Sequence, residues 1–271
     1  MSAYTQSMAE EAARQIWKHW RSLTTLEALP DDCRPVTAAQ GYAAQARLPE
    51  VAGREVWGWK IAATSEVGQA HIQVSGPLAG RLLSGQVLEN GTEAPFKGNR
   101  MRVAEPEFAF RMGRDMPPRE APYSQDEVVA AVATLHPSLE MPDSRFETFT
   151  EAGEAQLIAD NACARHFVFG PPAPDLWRGL DLRAHRVRGE VETAGGKRWT
   201  RDGRGEAVLG DPRIALTWLV NQLSSLGVTL RAGQSVTTGT CMPPLEIDAG
   251  DAVMADFGPL GRVGLRVSAT G

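Results

Sequence analysis

Three glutamates carry the most suggestive chemistry in this 271-residue chain. Glu105 and Glu107 stand two apart in Val103-Ala104-Glu105-Pro106-Glu107-Phe108-Ala109-Phe110, and Glu140 follows in Leu139-Glu140-Met141. Side chains two apart on a strand share a face, with backbones roughly 6–7 Å apart, so Glu105 and Glu107 can turn their carboxylates onto one point. Val103, Phe108 and Phe110 favour a strand here, and Pro106 suits an edge or a bulge better than mid-sheet. Three inward carboxylates are costly to bury together unless a metal neutralises them, so one hard cation fits the set. The competing reading leaves Glu105 and Glu107 on a solvated strand face.

Lys60 is the second informative residue. It lies within Val56-Trp57-Gly58-Trp59-Lys60-Ile61-Ala62-Ala63-Thr64, which reads as a buried strand with one charge. Lysine is rarely buried without a counter-charge, so its stem snorkels or its ammonium points into a pocket.

The positioning elements follow from periodicity and caps. An amphipathic helix is expected from Ser7 to Leu23, with Ala13, Ile16, Trp17 and Trp20 on one face. Pro30 and Pro35 interrupt, Thr37 caps a helix through Ala46, and Leu48-Pro49 is a break. Ser65 to Gln73 reads as helical and Gly76-Pro77-Leu78-Ala79-Gly80 as a turn. Glu89 to Gly98 reads as a boundary, which divides the chain into an α/β part over 1–95 and a β-richer core over 96–271. Ser124-Gln125-Asp126-Glu127 is a capping box that opens a short helix closed by Pro137. The resulting strand-helix-strand order sets Glu140 beside Glu105 and Glu107. A helical patch is expected over Gln156–His166, then a hairpin from Leu182 to Thr200 turning at Gly195-Gly196. Asp211-Pro212 starts a helix that Gly227 ends, and short strands at Val236–Thr240, Ala252–Phe257 and Val263–Val267 complete the chain.

Composition excludes several classes. A hydrophobic content of 42% supports a sizeable core, and a net charge of −5 with scattered Lys and Arg gives no footprint for nucleic acid or an anionic membrane. The charged start, with Glu10, Glu11, Arg14 and Lys18, lacks a signal-peptide core, so a cytoplasmic protein is expected. Cys33, Cys163 and Cys241 are too far apart for a zinc motif and are read as reduced thiols. Gly-x-Ser-x-Gly, Walker and dinucleotide signatures are absent. The five histidines form no metal pair and are read as structural or exposed, with an outer-shell contact from His136 to Glu140 as the lesser reading.

Gly58-Trp59-Lys60-Ile61, Glu105-x-Glu107, Leu139-Glu140 with Asp143-Ser144-Arg145, Ala159-Asp160-Asn161-Ala162, Leu209-Gly210-Asp211-Pro212 and Thr238-Gly239-Thr240 occur in that order. Together they resemble the fumarylacetoacetate hydrolase superfamily, in particular its branch of 2-keto-4-pentenoate hydratases and 4-oxalocrotonate decarboxylases. The resemblance runs from about Trp57 to the C-terminus. It implies an α+β protein with a mixed β-roll core and a smaller helical N-terminal part. It also implies a Mg2+ or Mn2+ site formed by Glu105, Glu107 and Glu140, with Lys60 catalytic at the substrate. Substrate contacts are implied for Lys60, Ser144, Arg145, Asp160, Asn161 and Thr238. Oxygen-only ligands suit these ions, and three monodentate carboxylates leave about three octahedral positions open. The implied substrate is a small 2-oxo or 2-hydroxydienoate acid, and the implied assembly a homo-oligomer, with a complex with a sister hydratase or decarboxylase as a further option.

Departures bear on the reaction. Hydratases of the branch commonly carry an acid where this chain has Pro77-Leu78-Ala79-Gly80, and Leu78 cannot handle water. Glu105-Pro106-Glu107 and Asp143-Ser144-Arg145-Phe146 resemble the decarboxylases, and Cys163 stands where serine is frequent. Arg81 is read as solvated at the surface, with binding of a second substrate carboxylate as the alternative. Hydration of 2-hydroxydienoates ranks first, decarboxylation of a 2-oxo-3-enedioate second, and a non-catalytic partner subunit third.

Overall fold

The computed structural model describes residues 4–269. Helices come first: α1 (Gln6–Ser22), α2 (Ala38–Gln45) and α3 (Leu48–Ala52). They precede β1 (Val56–Ala62), α4 (Glu66–His71), β2 (Leu78–Leu83), β3 (Val87–Glu89) and β4 (Glu93–Ala94). The middle holds β5 (Val103–Met112), α5 (Gln125–Ala130), β6 (Val132–Met141), α6 (Glu154–Ala159) and β7 (His166–Phe169). The remainder is β8 (Arg186–Glu192), β9 (Arg198–Arg204), α7 (Pro212–Ser225), β10 (Ser235–Thr240), β11 (Leu245–Glu246), β12 (Ala252–Asp256) and β13 (Arg262–Val267).

Three starts follow the expected caps: Thr37 accepts a backbone N–H at the head of α2, Ser124 and Glu127 form the capping box of α5, and Asp211 caps α7 ahead of Pro212. Thr5 and Ser65 accept backbone N–H groups at the heads of α1 and α4 in the same way. The expected break at Leu48-Pro49 is instead the first turn of α3, where proline loses nothing because its N–H would have no partner.

Two mixed sheets make the core. The larger runs β2-β1-β10-β5-β6-β7-β3, with β11 paired to β5; the smaller runs β4-β13-β12-β8-β9. They meet where β12 and β13 pack on β6, and Phe108 stands edge-on to Phe257 at 5.1 Å between ring centres. Residues on both sides of position 95 share the large sheet, since β1 pairs in parallel with β10 and β10 pairs with β5.

Three further stretches differ from expectation. The Leu78 segment is a fully buried strand, drawn into the sheet by antiparallel pairing of Leu78 with Ala62. The strand holding Glu140 begins at Val132, so Pro137 lies inside it opposite Phe108 rather than closing a helix. The helical patch stops at Ala159, and His166 belongs to β7. Pro106 is mid-sheet, but next to an irregularity of β10 between Thr237 and Thr240.

The N-terminal helices are tied to the rest through close contact of α2 with α6. A Cβ on Gly41 would stand 2.4 Å from the Ala155 carbonyl oxygen and 3.0 Å from Ile158 Cβ. Gly41→Ala is expected to force these helices apart at a cost of about 1–3 kcal/mol, lowering the melting temperature by about 2–10 °C. An unchanged thermal melt would show that the contact yields freely.

Candidate metal centre and substrate cleft

Register brings the three glutamates together. Glu105 pairs directly with Glu140, and Glu107 with Ser138. One oxygen from each of Glu105, Glu107 and Glu140 lies within 4.8 Å of the others. Glu107 and Glu140 are fully buried, Glu105 partly.

The irregularity in β10 serves this cluster. It turns the Gly239 N–H toward Glu107, donating to Oε2 at 3.0 Å. Gly239 has φ +94°, and a Cβ there would stand 2.1 Å from Thr64 Oγ1, so the position requires glycine. Glu107 Oε1 and Glu140 Oε2 have no well-formed hydrogen bond with any described residue. Buried carboxylate oxygens without donors are suited to holding a cation.

Lys60 is 2 % exposed and reaches the cluster from β1. Its Nζ lies 3.1 Å from Glu140 Oε1 and donates to the Ala162 carbonyl at 2.9 Å. That carbonyl is delivered by an unusual turn, Asn161-Ala162-Cys163, whose residues have φ of +58°, +52° and +61° without a glycine among them. Such conformations cost roughly 1–2 kcal/mol each for side chains other than glycine. The Asn161 side chain latches the turn to β2: Arg81 N–H donates to Oδ1 and Nδ2 donates to the Arg81 carbonyl, both at 2.7 Å. Gly80 leaves the necessary room, since a Cβ there would stand 2.5 Å from the Asn161 carbonyl and 2.9 Å from Lys60 Cγ.

Electrostatics follow from this crowding. Burial pushes the Glu105 carboxyl up to about 7 against the pull of Lys60, with Glu107 adding to the rise. Glu107 is raised by burial, opposed by Lys60 and the Gly239 N–H, and Glu140 is raised well above the usual range by burial, opposed by Lys60. Burial alone would lower Lys60, but Glu140, Glu105 and Glu107 outweigh it and keep the ammonium charged.

A cleft of about 1280 Å3 opens onto Lys60, Glu105, Cys163 and Gly239. Arg186, Arg188, Asp202 and Arg204 from β8 and β9 line it too, so the smaller sheet supplies part of its wall. Burial pushes the Cys163 thiol up to about 12, which makes it a neutral neighbour of the site rather than a nucleophile.

The other sequence-assigned residues lie outside the cleft lining. Asp160 accepts from Trp20 Nε1 at 3.0 Å, Ser144 Oγ at 2.6 Å and the Arg145 N–H at 2.9 Å. Arg145 is ion-paired with Asp143 and donates to the Gly98 carbonyl at 3.0 Å. Thr238 Oγ1 donates to the Phe108 carbonyl at 2.9 Å. These side chains are buried and engaged with protein partners. The expected surface role of Arg81 does not hold: it is 7 % exposed, bonds Gln45 and lies 4.8 Å from the Trp59 ring centre, because β2, although the edge strand of the larger sheet, is buried along its whole length. Leu78 is core, not cleft. His136 bonds Thr134 Oγ1 at 2.8 Å and the Gly170 carbonyl at 3.0 Å, so it is not a partner of Glu140. Sequence reasoning passed over the Gly239 N–H and the Ala162 carbonyl; the lone glycine between two threonines of a strand was the available signal for the first.

No protein-family model matches the chain. It is 31% identical over 266 residues to a 2-keto-4-pentenoate hydratase of Paraburkholderia xenovorans, covering 96% of this chain and 94% of that one. It is 30% identical over 250 residues to a 2-hydroxyhexa-2,4-dienoate hydratase of Comamonas testosteroni, covering 89% and 90%. Among solved structures, 4-oxalocrotonate decarboxylase from Pseudomonas putida G7, complexed with magnesium and adipate, superposes with a TM-score of 0.86 at 25% identity, covering 98% of this chain and all of that one. With the order of its motifs, the convergence of its three glutamates and relatives matched along nearly the whole length, the chain belongs to the 2-keto-4-pentenoate hydratase and 4-oxalocrotonate decarboxylase branch of the fumarylacetoacetate hydrolase superfamily.

Proposed function

We propose that the chain is a divalent-metal-dependent lyase that adds water to 2-hydroxy-2,4-dienoates of the 2-keto-4-pentenoate type, giving 4-hydroxy-2-oxo acids. The observation that carries this reading is the meeting of three glutamates, two buried carboxylate oxygens without well-formed hydrogen bonds and one buried lysine at the edge of a cleft. Hydratase relatives matched over most of their length supply the reaction class. Glu105, Glu107 and Glu140 fit a hard cation, Mg2+ or Mn2+, since all their donors are oxygen and three carboxylates with one lysine leave an excess of negative charge. When bound, the ion supplies Lewis-acid polarisation of the substrate's C2 oxygen.

The chain's own residues do the rest. Of the three N–H directions of Lys60, one goes to Ala162 and one faces Glu140, which leaves one for the substrate. In this reading it orients the substrate carboxylate and exchanges the proton as the dienol becomes an enone and water adds at C4. Asp160, Ser144 and Arg145 brace the segment beneath, Thr238 fixes β10 to β5, and Asn161 holds the turn that anchors Lys60. Decarboxylation of a 2-oxo-3-enedioate is the second reading, favoured by the whole-length likeness to the decarboxylase and by Leu78 where an acid would be expected. The unneutralised acid cluster argues against a non-catalytic subunit. A homo-oligomer acting on a small acid in the cytoplasm completes the proposal.

Product analysis by NMR tests the reaction. Incubation of 2-hydroxypenta-2,4-dienoate with the protein and Mg2+ is expected to give 4-hydroxy-2-oxopentanoate, and chelator to stop it. Carbon dioxide release from 4-oxalocrotonate without hydration of the dienoate would replace the first reading with the second. Lys60→Ala is expected to cut kcat roughly 100-fold or more with the circular dichroism spectrum unchanged; wild-type turnover would remove Lys60 from the mechanism.

Charge crowding gives a pH prediction for metal-free protein. Glu107 is raised above its unfolded value, so the native state holds more protons and loses stability as pH climbs from the ordinary carboxylate range toward neutrality. Gln at this position does not titrate, while the histidines are common to both proteins. Metal-free Glu107→Gln should therefore gain in melting temperature on the wild type between pH 5 and pH 8. Saturating Mg2+ should reverse that order. A pH-independent difference would mean that Glu107 is not held in the crowded field described.

A further inference from the structure

The turn that holds Lys60 has a second side. Ala162 and Cys163 line the cleft, whereas Asn161 and Ala164 line a separate cavity of about 310 Å3. Trp17, Trp20 and Arg21 of α1 border it, together with Arg54, Arg165 and His166. Among the described residues no carboxylate lines it.

Its charges are unusual because they are alike and unpaired. Arg21, Arg54 and Arg165 make no ion pair and no side-chain hydrogen bond with any described residue, although arginines elsewhere in the chain commonly have an acid within 4 Å. Two of them lie over tryptophans: Arg54 stands 5.3 Å from the Trp17 ring centre and Arg165 4.6 Å from that of Trp20. Gly85 leaves room for the Arg54 head, since a Cβ there would stand 3.2 Å from its guanidinium nitrogen. His166 presents two ring nitrogens, both buried and without a well-formed hydrogen bond. Burial, followed by Arg165, pushes it down to about 4, so it is a neutral ring that can donate from one nitrogen. Arg165 is itself pushed down to about 10, by burial and then by Arg54, which records the repulsion between the two cations.

A concave site with three guanidinium groups, aromatic backing and no acid has the chemistry that recognises a planar or tetrahedral oxyanion. We propose that this cavity binds a small anion bearing a carboxylate or phosphate group, gripped by Arg54 and Arg165 and separate from the glutamate cluster. An anion seated there rests against Asn161, on the reverse of the turn whose carbonyl holds Lys60. The proposal does not depend on which reaction the cleft performs.

Titration calorimetry of the full-length, Mg2+-loaded protein with inorganic phosphate and with oxalate tests it. One site per chain is expected for at least one of the two anions, weakening as salt is raised. Affinity should fall at least 10-fold in Arg54→Gln/Arg165→Gln and survive in Glu107→Gln. The exposed Arg54→Gln alone provides the test if the double variant fails to fold, and Arg165→Lys should keep part of the affinity. Absence of binding, or full affinity in a folded arginine variant, overturns the proposal. So does loss in Glu107→Gln with retention in the arginine variants, which would put the anion at the metal centre. Sedimentation velocity separates the remaining source of an oxyanion: if phosphate and the arginine substitutions both break an assembly of the chain, an acidic side chain of a second copy fills the cavity, and the small-anion proposal fails.

Discussion

Mutual repulsion of Glu105, Glu107 and Glu140 is the constraint that the surrounding structure answers. Carboxylates within 4.8 Å of one another repel by about 3 kcal/mol or more per ionised pair at an effective dielectric of about 20. One lysine offsets only part of this. The remaining answers are short-range: a single backbone N–H from Gly239, and oxygens left bare for a cation. Each needs backbone that ordinary sheet geometry does not provide. Hence a bulge lies beside the glutamate strand, and a left-handed run of three residues stands behind the lysine.

The division of labour between the two sheets follows from the same constraint. Central strands of the larger sheet carry the charged groups, where pairing on both sides fixes register and a one-residue slip would turn every carboxylate away. The cleft is completed by β8 and β9 of the smaller sheet, whose Arg186, Arg188 and Arg204 are exposed. Chemistry is thereby placed on rigid backbone and the walls on a surface tolerant of change.

How much of this could be read from the sequence depended on whether the signal was periodic. Strand period placed Glu105 and Glu107 on one face, and the strand-helix-strand order placed Glu140 beside them, although the strand begins before Pro137. Lys60 was legible because a lone charge in an apolar, Trp-flanked strand is rare. Arg81 was misread because a guanidinium can be buried against Trp59 and Gln45 without an acid, which composition does not reveal. The left-handed run at Asn161 had no local signature at all, since it contains no glycine and is held by a side-chain contact with residue 81. The same holds for Asp160, whose three donors come from residues 20, 144 and 145. Leu78 was taken for a turn because Gly76-Pro77 precedes it, and long-range pairing with Ala62 overrode that local preference.

The antiparallel pairing of β5 with β6 also separates a local closure from two longer ones. These strands are joined by an excursion through α5, whereas Lys60 and Gly239 come from strands that lie before and after the pair in the chain. Loop-closure entropy grows slowly with length, so bringing in Lys60 costs the chain only modestly more than pairing the glutamates. Wherever the glutamate pair stands without the lysine, its counter-charge comes from the ionic medium.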